Sequence, residues 1–421
     1  MSATGLWHSR SFVALFSAQV ISLLGSGVTT IGLSLFVYQL AGASAATVVI
    51  GQALMLRILA FLLFSQPAGI LADRFNRKYI LITADLARFA LLSLFPFLTQ
   101  TWHIYILIFA INAVTAFFTP TFEATLPEIV GEKHYVQALS LSRVASDVEA
   151  IASPALAGLL VALLGVKWVF WFDAFTYLVS AALVAVATIP LPKRSQAPLS
   201  WRAFPAEITL GTRVLLREPA LRQALLMSLA EATAGAAAIV STVQYVRLVL
   251  GKSEIVFGLV MAGVGIGSSI TALVLGRLSK RLERGSVNPA ELHLRRHRWT
   301  AFALLLGGIF AAASLFPGVL VPPLWFFVLL WIANGVGQGL IAISSGTLLA
   351  EHTIEAERGR AYAAHFALTH ACWLITYPAT GYAAARWGSP MAFTLAGGVC
   401  LLTTVVAFHR GVATPQLHGA K

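Results

Sequence analysis

GILADRFNRK, residues 69–78, packs one acid and three cations into the six positions Asp73 to Lys78. On either side the chain is apolar: AFLLFSQPA precedes it and YILITADLARFALLSLFPFL follows. A charged hairpin between two such stretches reads as a tight turn where the chain leaves a bilayer and re-enters it. The rest of the sequence agrees. Of 421 residues, 58% are hydrophobic and 11% charged, too little polar surface to cover a soluble core. Apolar runs of about 20 residues, enough to cross the hydrocarbon, recur to the end. A membrane β-barrel would show short alternating segments instead. The fold class is therefore an all-α polytopic membrane protein.

Twelve spans are predicted. They cover 11–39, 46–72, 79–98, 102–122, 140–164 and 168–189, then 223–249, 255–276, 299–316, 322–350, 361–385 and 389–409. The opening run is long enough to span and lacks a small-residue cleavage site, so the first span is expected to be retained. Of the 29 Lys and Arg, 22 fall at the termini and in the connections leaving even-numbered spans. Four (Lys167, Arg247, Lys252 and Arg386) lie in the opposite connections, and Arg57, Arg88 and Arg143 lie within spans. That asymmetry predicts a multi-pass protein of the plasma (inner) membrane with both termini cytoplasmic. It also accounts for the formal charge of +12 by position, without nucleic acid as a partner. Cys372 and Cys400 sit in apolar runs and imply no disulfide framework.

The longest polar connection, 190–222, divides the spans six and six. Two six-helix bundles are expected, 1–189 and 223–421, joined by a cytoplasmic linker. From Trp201 the linker reads as an amphipathic helix, Phe204, Ile208, Val214 and Leu215 opposing Arg202, Arg213 and Arg217, suited to the inner leaflet. Faint repetition supports two halves: SPALAG at 153–158 in span 5 against YPATG at 377–381 in span 11. Halves of this kind point to a transporter with its site near the midplane.

A charge at the bilayer centre costs about 2.5–3.5 kcal/mol or more, so those inside spans require partners, a wet cavity or neutrality. Arg57 lies in the middle of span 2. Asp85 and Arg88, three apart in span 3, share a face and form a candidate structural pair. Arg143, Asp147 and Glu149 open span 5, with Asp147 the candidate for a cavity or coupling role. Asp173 reads as a helix-start acid. Glu231, within MSLAEATAGAAAIV at 227–240, has no cation three or four positions away and is the leading candidate for carrying a proton. His365 and His370 are five apart, too far round a helix to share a metal, and no HExxH or CxxC pattern occurs. No cofactor and no metal are expected. The Gly-rich AGVGIGSS at 262–269 suits close helix packing, not nucleotide binding.

GILADRFNRK resembles the loop signature of the major facilitator superfamily, G-x-L-a-D-R-x-G-R-R/K. Gly69, Leu71, Asp73, Arg74, Arg77 and Lys78 fit, and Asn76 stands where glycine is usual, a residue that tolerates left-handed backbone. The run FFTPTFEATLPEIVGEKHYVQALSLSRVASDVEAIASPALAGLL, with WFDAFTYLVSAAL, REPALR and ERGRAYA, resembles exporters of the enterobactin and macrolide efflux type. The resemblance implies alternating-access export of small amphipathic molecules, drugs or siderophore-like metabolites, driven by proton entry, by a monomer among membrane lipids. It implies that Asp73 caps a neighbouring helix end and latches the cytoplasmic side, with Arg77 as its basic helper. Gly69 would let spans 2 and 11 pack closely. Pro154 and Gly158 match the span-5 antiporter motif in part and mark a kink. Span 4, IYILIFAINAVTAFFTPTF, carries no charge where many proton antiporters of the superfamily hold an arginine.

Other readings stay open at this point. An importer or a lipid-handling transporter would look the same in the helices. A polytopic acyl or glycosyl transferase would need clustered polar residues at one membrane face, and the loops offer no such set.

Overall fold

In a computed structural model the described residues are 6, 7, 9–190, 203–284, 289–353 and 355–411. The side chains of some helical positions, Asp73, Arg74, Arg143 and Asp147 among them, lie outside the described residues, as do the surroundings of Gly69. The structure is helical, with no strand among the described residues. Its first six α-helical elements are α1 (Arg10–Arg74), α2 (Arg77–Leu92), α3 (Thr101–Val130), α4 (Glu132–Leu164), α5 (Lys167–Val186) and α6 (Ala203–Arg217). Then come α7 (Pro219–Gln244), α8 (Glu254–Arg284), α9 (Pro289–Ala313), α10 (Leu324–His352), α11 (Glu355–Trp387) and α12 (Ser389–Gly411).

Spans 1 and 2, labelled together as α1, are two helices that part at Gly42, whose φ of 76° and ψ of 164° break the helical path. Only glycine adopts that geometry freely. Among the described residues, 11 stretches are long and apolar enough to cross a membrane. The predicted eleventh span, α11, is not one of them. Its 33 residues are long enough to cross, but His365, Thr369, His370, Tyr377 and Pro378 dilute its apolarity.

Two local expectations change. The connection between predicted spans 4 and 5, residues 123–139, is helical but for one residue: α3 runs to Val130 and α4 starts at Glu132, with Gly131 alone at φ 70° between them. Its polar residues extend both helices, where backbone pairing is already satisfied. Asn76 is not left-handed. At φ −64° and ψ 109° it is the N-cap of α2, its Oδ1 accepting the Lys78 N–H at 3.0 Å. A side-chain acceptor stops one helix and starts the next without the glycine geometry. The linker helix is described from Ala203; Trp201, Arg202 and the Pro-rich start of the linker lie outside the described residues. Leu215 is buried on its inner face, and Arg213 and Arg217 are exposed.

The chain divides into two compact units. Unit 1 is Met1–Leu199 together with Thr242–Ala262 and Tyr377–Ala385; unit 2 is Ser200–Ser241, Gly263–Thr376 and Arg386–Lys421. The core of unit 1 includes Leu15, Leu81, Phe118, Phe122 and Val184, from four helices. Phe95 stacks on Phe170 with ring centroids 4.6 Å apart, and Phe36 meets Phe170 edge-on at 5.1 Å. Unit 2 packs α8 on α10 through glycine. A Cβ on Gly267 would lie 2.0 Å from the Ile332 carbonyl oxygen, and one on Gly335 1.9 Å from that of Val264. This backbone-to-backbone approach uses part of the Gly-rich run 262–269, as close helix packing in a membrane requires.

Candidate functional site

Unit 1 contains a cluster of helix crossings just after the Gly42 break in α1. Gly51 meets α11 so closely that a Cβ there would lie 2.5 Å from the Tyr377 carbonyl oxygen. One turn earlier a Cβ on Gly381 would lie 2.4 Å from the Thr47 carbonyl oxygen, and the Thr47 hydroxyl donates to the Gly381 carbonyl at 3.1 Å. Gln52 closes the same face. Its amide nitrogen donates to the Tyr382 hydroxyl at 2.8 Å, and its oxygen accepts from Tyr105 of α3 at 2.5 Å.

A second crossing joins α4 to the start of α8. A Cβ on Gly258 would lie 2.5 Å from the Pro154 carbonyl oxygen and 3.2 Å from the Gly158 Cα. Pro154 and Gly158, predicted as a kink, are thus the contact surface for Gly258. Glycine on both helices lets the backbones touch, and the proline removes one N–H from the ladder and loosens α4. Beyond α7 the helix widens into a π turn over Tyr245–Val249, a rare form often found at working sites. It carries Arg247, whose Nη1 pairs with Glu254 Oε1 at 3.1 Å and donates to the Lys252 carbonyl at 3.2 Å. The same guanidinium lies 6.0 Å from the ring centroid of Tyr38 on α1.

At the C-terminal end of α1 the loop 75–76 is a two-residue turn. Leu71 is exposed, and Lys78 contributes its backbone N–H to the Asn76 cap. Arg77 is buried, donating to the Ala124 carbonyl and pairing with Glu128 Oε1, each at 2.8 Å. It therefore ties α2 to α3.

Inside the bundle, Asp85 and Arg88 are ion-paired and both buried. Ser180 donates to Asp85 at 2.7 Å, and the Arg88 guanidinium is sandwiched between the Phe118 and Tyr177 rings, 4.2 Å from each centroid. The charge is paired with Asp85 and covered by two rings, while Arg88 Nε is buried without a hydrogen-bond partner among the described residues. Asp173 is also buried on α5 and accepts from the Thr176 hydroxyl at 3.1 Å. Arg57 is different: it is exposed, and its Nη1 donates to the Thr30 hydroxyl at 3.3 Å.

Glu149, passed over in favour of Asp147, is the span-5 acid whose placement is described. It is half-buried against α1, where a Cβ on Gly27 would lie 1.8 Å from its Oε1. Ser153, four residues on, faces the same glycine: a Cβ on Gly27 would lie 2.4 Å from its Oγ, which donates to the Leu24 carbonyl at 3.3 Å. In unit 2, Glu231 is half-buried on α7 with Cys372 of α11 as its electrostatic neighbour. It makes no ion pair among the described residues. One turn on, a Cβ on Gly235 would lie 2.2 Å from the Trp373 ring and 3.0 Å from Gln338 Oε1. Among the described residues no group of three metal-ligating side chains occurs.

Long apolar helices that cross glycine on backbone, with ionisable side chains held among them, define a multi-pass membrane protein. The family model described as Major Facilitator Superfamily matches residues 15–320 and 293–420. The chain belongs to that superfamily, whose members are transporters and not enzymes. It is 24% identical over 405 residues to an uncharacterised MFS-type transporter, YfiS, of Bacillus subtilis, covering 94% of this chain and 92% of that protein. It is 26% identical over 366 residues to the enterobactin exporter EntS of Escherichia coli, covering 83% and 79%. Macrolide efflux protein A of Streptococcus pyogenes is 27% identical over 184 residues, 42% of this chain and 45% of that protein. Among solved structures, a POT family transporter in complex with 5-aminolevulinic acid superposes with a TM-score of 0.74 at 12% identity, covering 96% of each chain. A bacterial homologue of the lysosomal transporter Spinster gives 0.70 at 13%, covering 98% and 96%.

Proposed function

We propose that this protein is a secondary exporter of the plasma (inner) membrane, a monomer with both termini cytoplasmic, that moves small amphipathic molecules outward by alternating access in exchange for protons. The spans form two six-helix bundles, 1–189 and 223–421, joined by the linker 190–222. The observation that carries the reading is the set of glycine crossings just after the Gly42 break in α1, which the basic-loop asymmetry makes the extracellular end. Contacts between bare backbones break and re-form without repacking long side chains, which suits a gate. The exporters among the relatives support the outward direction.

At the cytoplasmic end, Asp73 is the latch acid. A carboxylate at a helix start is worth about 0.3–1 kcal/mol when exposed and up to about 2 when partly buried. Gly69, Leu71, Arg74 and Lys78 shape the same turn, and Arg77 anchors it to α3 through Glu128. Glu231 is the proposed proton carrier, with Asp147 and Arg57 as further coupling groups. The gradient supplies the work: one elementary charge crossing 100 mV yields about 2.3 kcal/mol.

The test is uptake of a panel of labelled drugs and siderophore-like compounds into inverted membrane vesicles. Accumulation under an inward-acid gradient, abolished by a protonophore, is the expected result. Equal accumulation with the gradient collapsed would end the proton-coupled reading.

A further inference from the structure

Among the arginines within the spans of unit 1, the protein treats Arg57 and Arg88 oppositely. Arg88 has a carboxylate partner, a ring above and a ring below. Among the described residues, Arg57 has none of these. A guanidinium carries five N–H donors. Here one donates to a neutral hydroxyl, Thr30, at a long 3.3 Å, and among the described residues Arg57 forms no ion pair. Leaving a cation so poorly compensated at membrane depth costs stability, and an arginine kept there under those terms serves a ligand more readily than the fold.

An anion of the protein lies against the same part of α1: Glu149 sits against Gly27, one turn along α1 from Thr30. Arg57 meets the first half of α1 at Thr30 and Glu149 meets it at Gly27, and among the described residues the two make no ion pair. Arg57 also lies six residues, roughly 9 Å of helix, beyond Gly51 and its crossing with α11. Tyr377, whose carbonyl oxygen meets Gly51, feels the same guanidinium.

We propose that Arg57 is the residue that recognises the transported molecule, and that this molecule carries an anionic oxygen group, a carboxylate or its equivalent, on an apolar body. The planar fork of the guanidinium matches such a group in bidentate fashion. Glu149 is the protein's own competing anion: it keeps Arg57 from holding the ligand too tightly for release. This rests on the transporter reading above and specifies the substrate class at its site.

The test uses three probes with one ring system: 2-naphthoate, 2-naphthalenemethanol and 2-naphthylmethylamine. Binding to the purified full-length chain is measured by equilibrium dialysis. Wild-type protein should prefer the carboxylate over the alcohol by about tenfold or more, the scale of a charge-assisted pair. Arg57→Gln should erase that preference while still binding the alcohol, and Arg57→Lys should keep part of it. Glu149→Gln should tighten naphthoate binding and leave the alcohol unchanged. A wild type that shows no preference for the carboxylate overturns the assignment, as does an Arg57→Gln variant that retains it. If Arg57→Gln fails to fold, Glu149→Gln decides: unchanged naphthoate affinity counts against the proposal. Should the binding pattern hold while naphthoate does not move under a gradient in vesicles, proton-coupled export fails and the recognition role of Arg57 stands.

Discussion

The Cβ direction of Gly51 ends 2.5 Å from the carbonyl oxygen of Tyr377. No side chain fits there without moving a backbone. The two helices meet at this point only because position 51 has no side chain, so the contact is sensitive to a single methyl group.

Gly51→Ala should therefore weaken the closed extracellular end. Overpacking costs about 1–3 kcal/mol, enough to shift a two-state gate by roughly five- to hundredfold. Spin labels at the exposed positions Gln39 and Ala385 should show a longer mean distance in the variant. An unchanged distance distribution would show that the crossing does not set the gate.

Arg247→Gln should open the same end by another route. It removes the pairing with Glu254 and the hydrogen bond to the Lys252 carbonyl. Both partners are about a quarter to a third exposed, so the pair is worth roughly 0.2–1 kcal/mol and is weakened by salt. In wild type, raising salt should lengthen the Gln39–Ala385 distance slightly; in Arg247→Gln it should have little further effect. Equal salt responses would remove Arg247 from the gate.

Asn76→Ala should destabilise the α1–α2 turn by about 1 kcal/mol, the usual loss of an N-cap, whereas Asn76→Ser and Asn76→Asp should keep most of it. Thermal unfolding in detergent reads the difference. If Ala and Ser behave alike, the bond from Lys78 N–H to Asn76 Oδ1 contributes nothing.

Arg88→Met should be among the most damaging single changes, about 3–5 kcal/mol, because it strands Asp85 in a buried site. The double variant with Asp85→Asn should recover much of that loss, since the two residues are directly coupled. A double variant as unstable as the single would mean that the packing of Arg88 between Phe118 and Tyr177 outweighs its charge.

Much of this was legible before any coordinates. Apolar runs of membrane length set the spans, and the loop at 69–78 pointed to the superfamily that the family comparison then established. What local pattern cannot encode is the partner across a gap. Gly51 and Gly381 look like any small residues in a span until their opposing helix is known. Asn76 was read through the glycine it replaces, yet it acts by its side-chain oxygen, a different solution to the same turn. Gly131 made two helices where polar composition suggested a loop. Glu149 meets α1 at Gly27, and sequence spacing gives the faces of α4 without saying which one is turned toward α1.

The most direct test of the account bridges Gln52→Cys to Tyr382→Cys, with Cys372 and Cys400 replaced by serine, using a short bifunctional thiol reagent that releases on reduction. In the native protein these two side chains touch at 2.8 Å. Bridged protein should still bind substrate from the cytoplasmic side, its gradient-driven flux should fall to background, and reduction should restore that flux. Undiminished flux through fully bridged protein would contradict a gate at this crossing and, with it, the mechanism built on it.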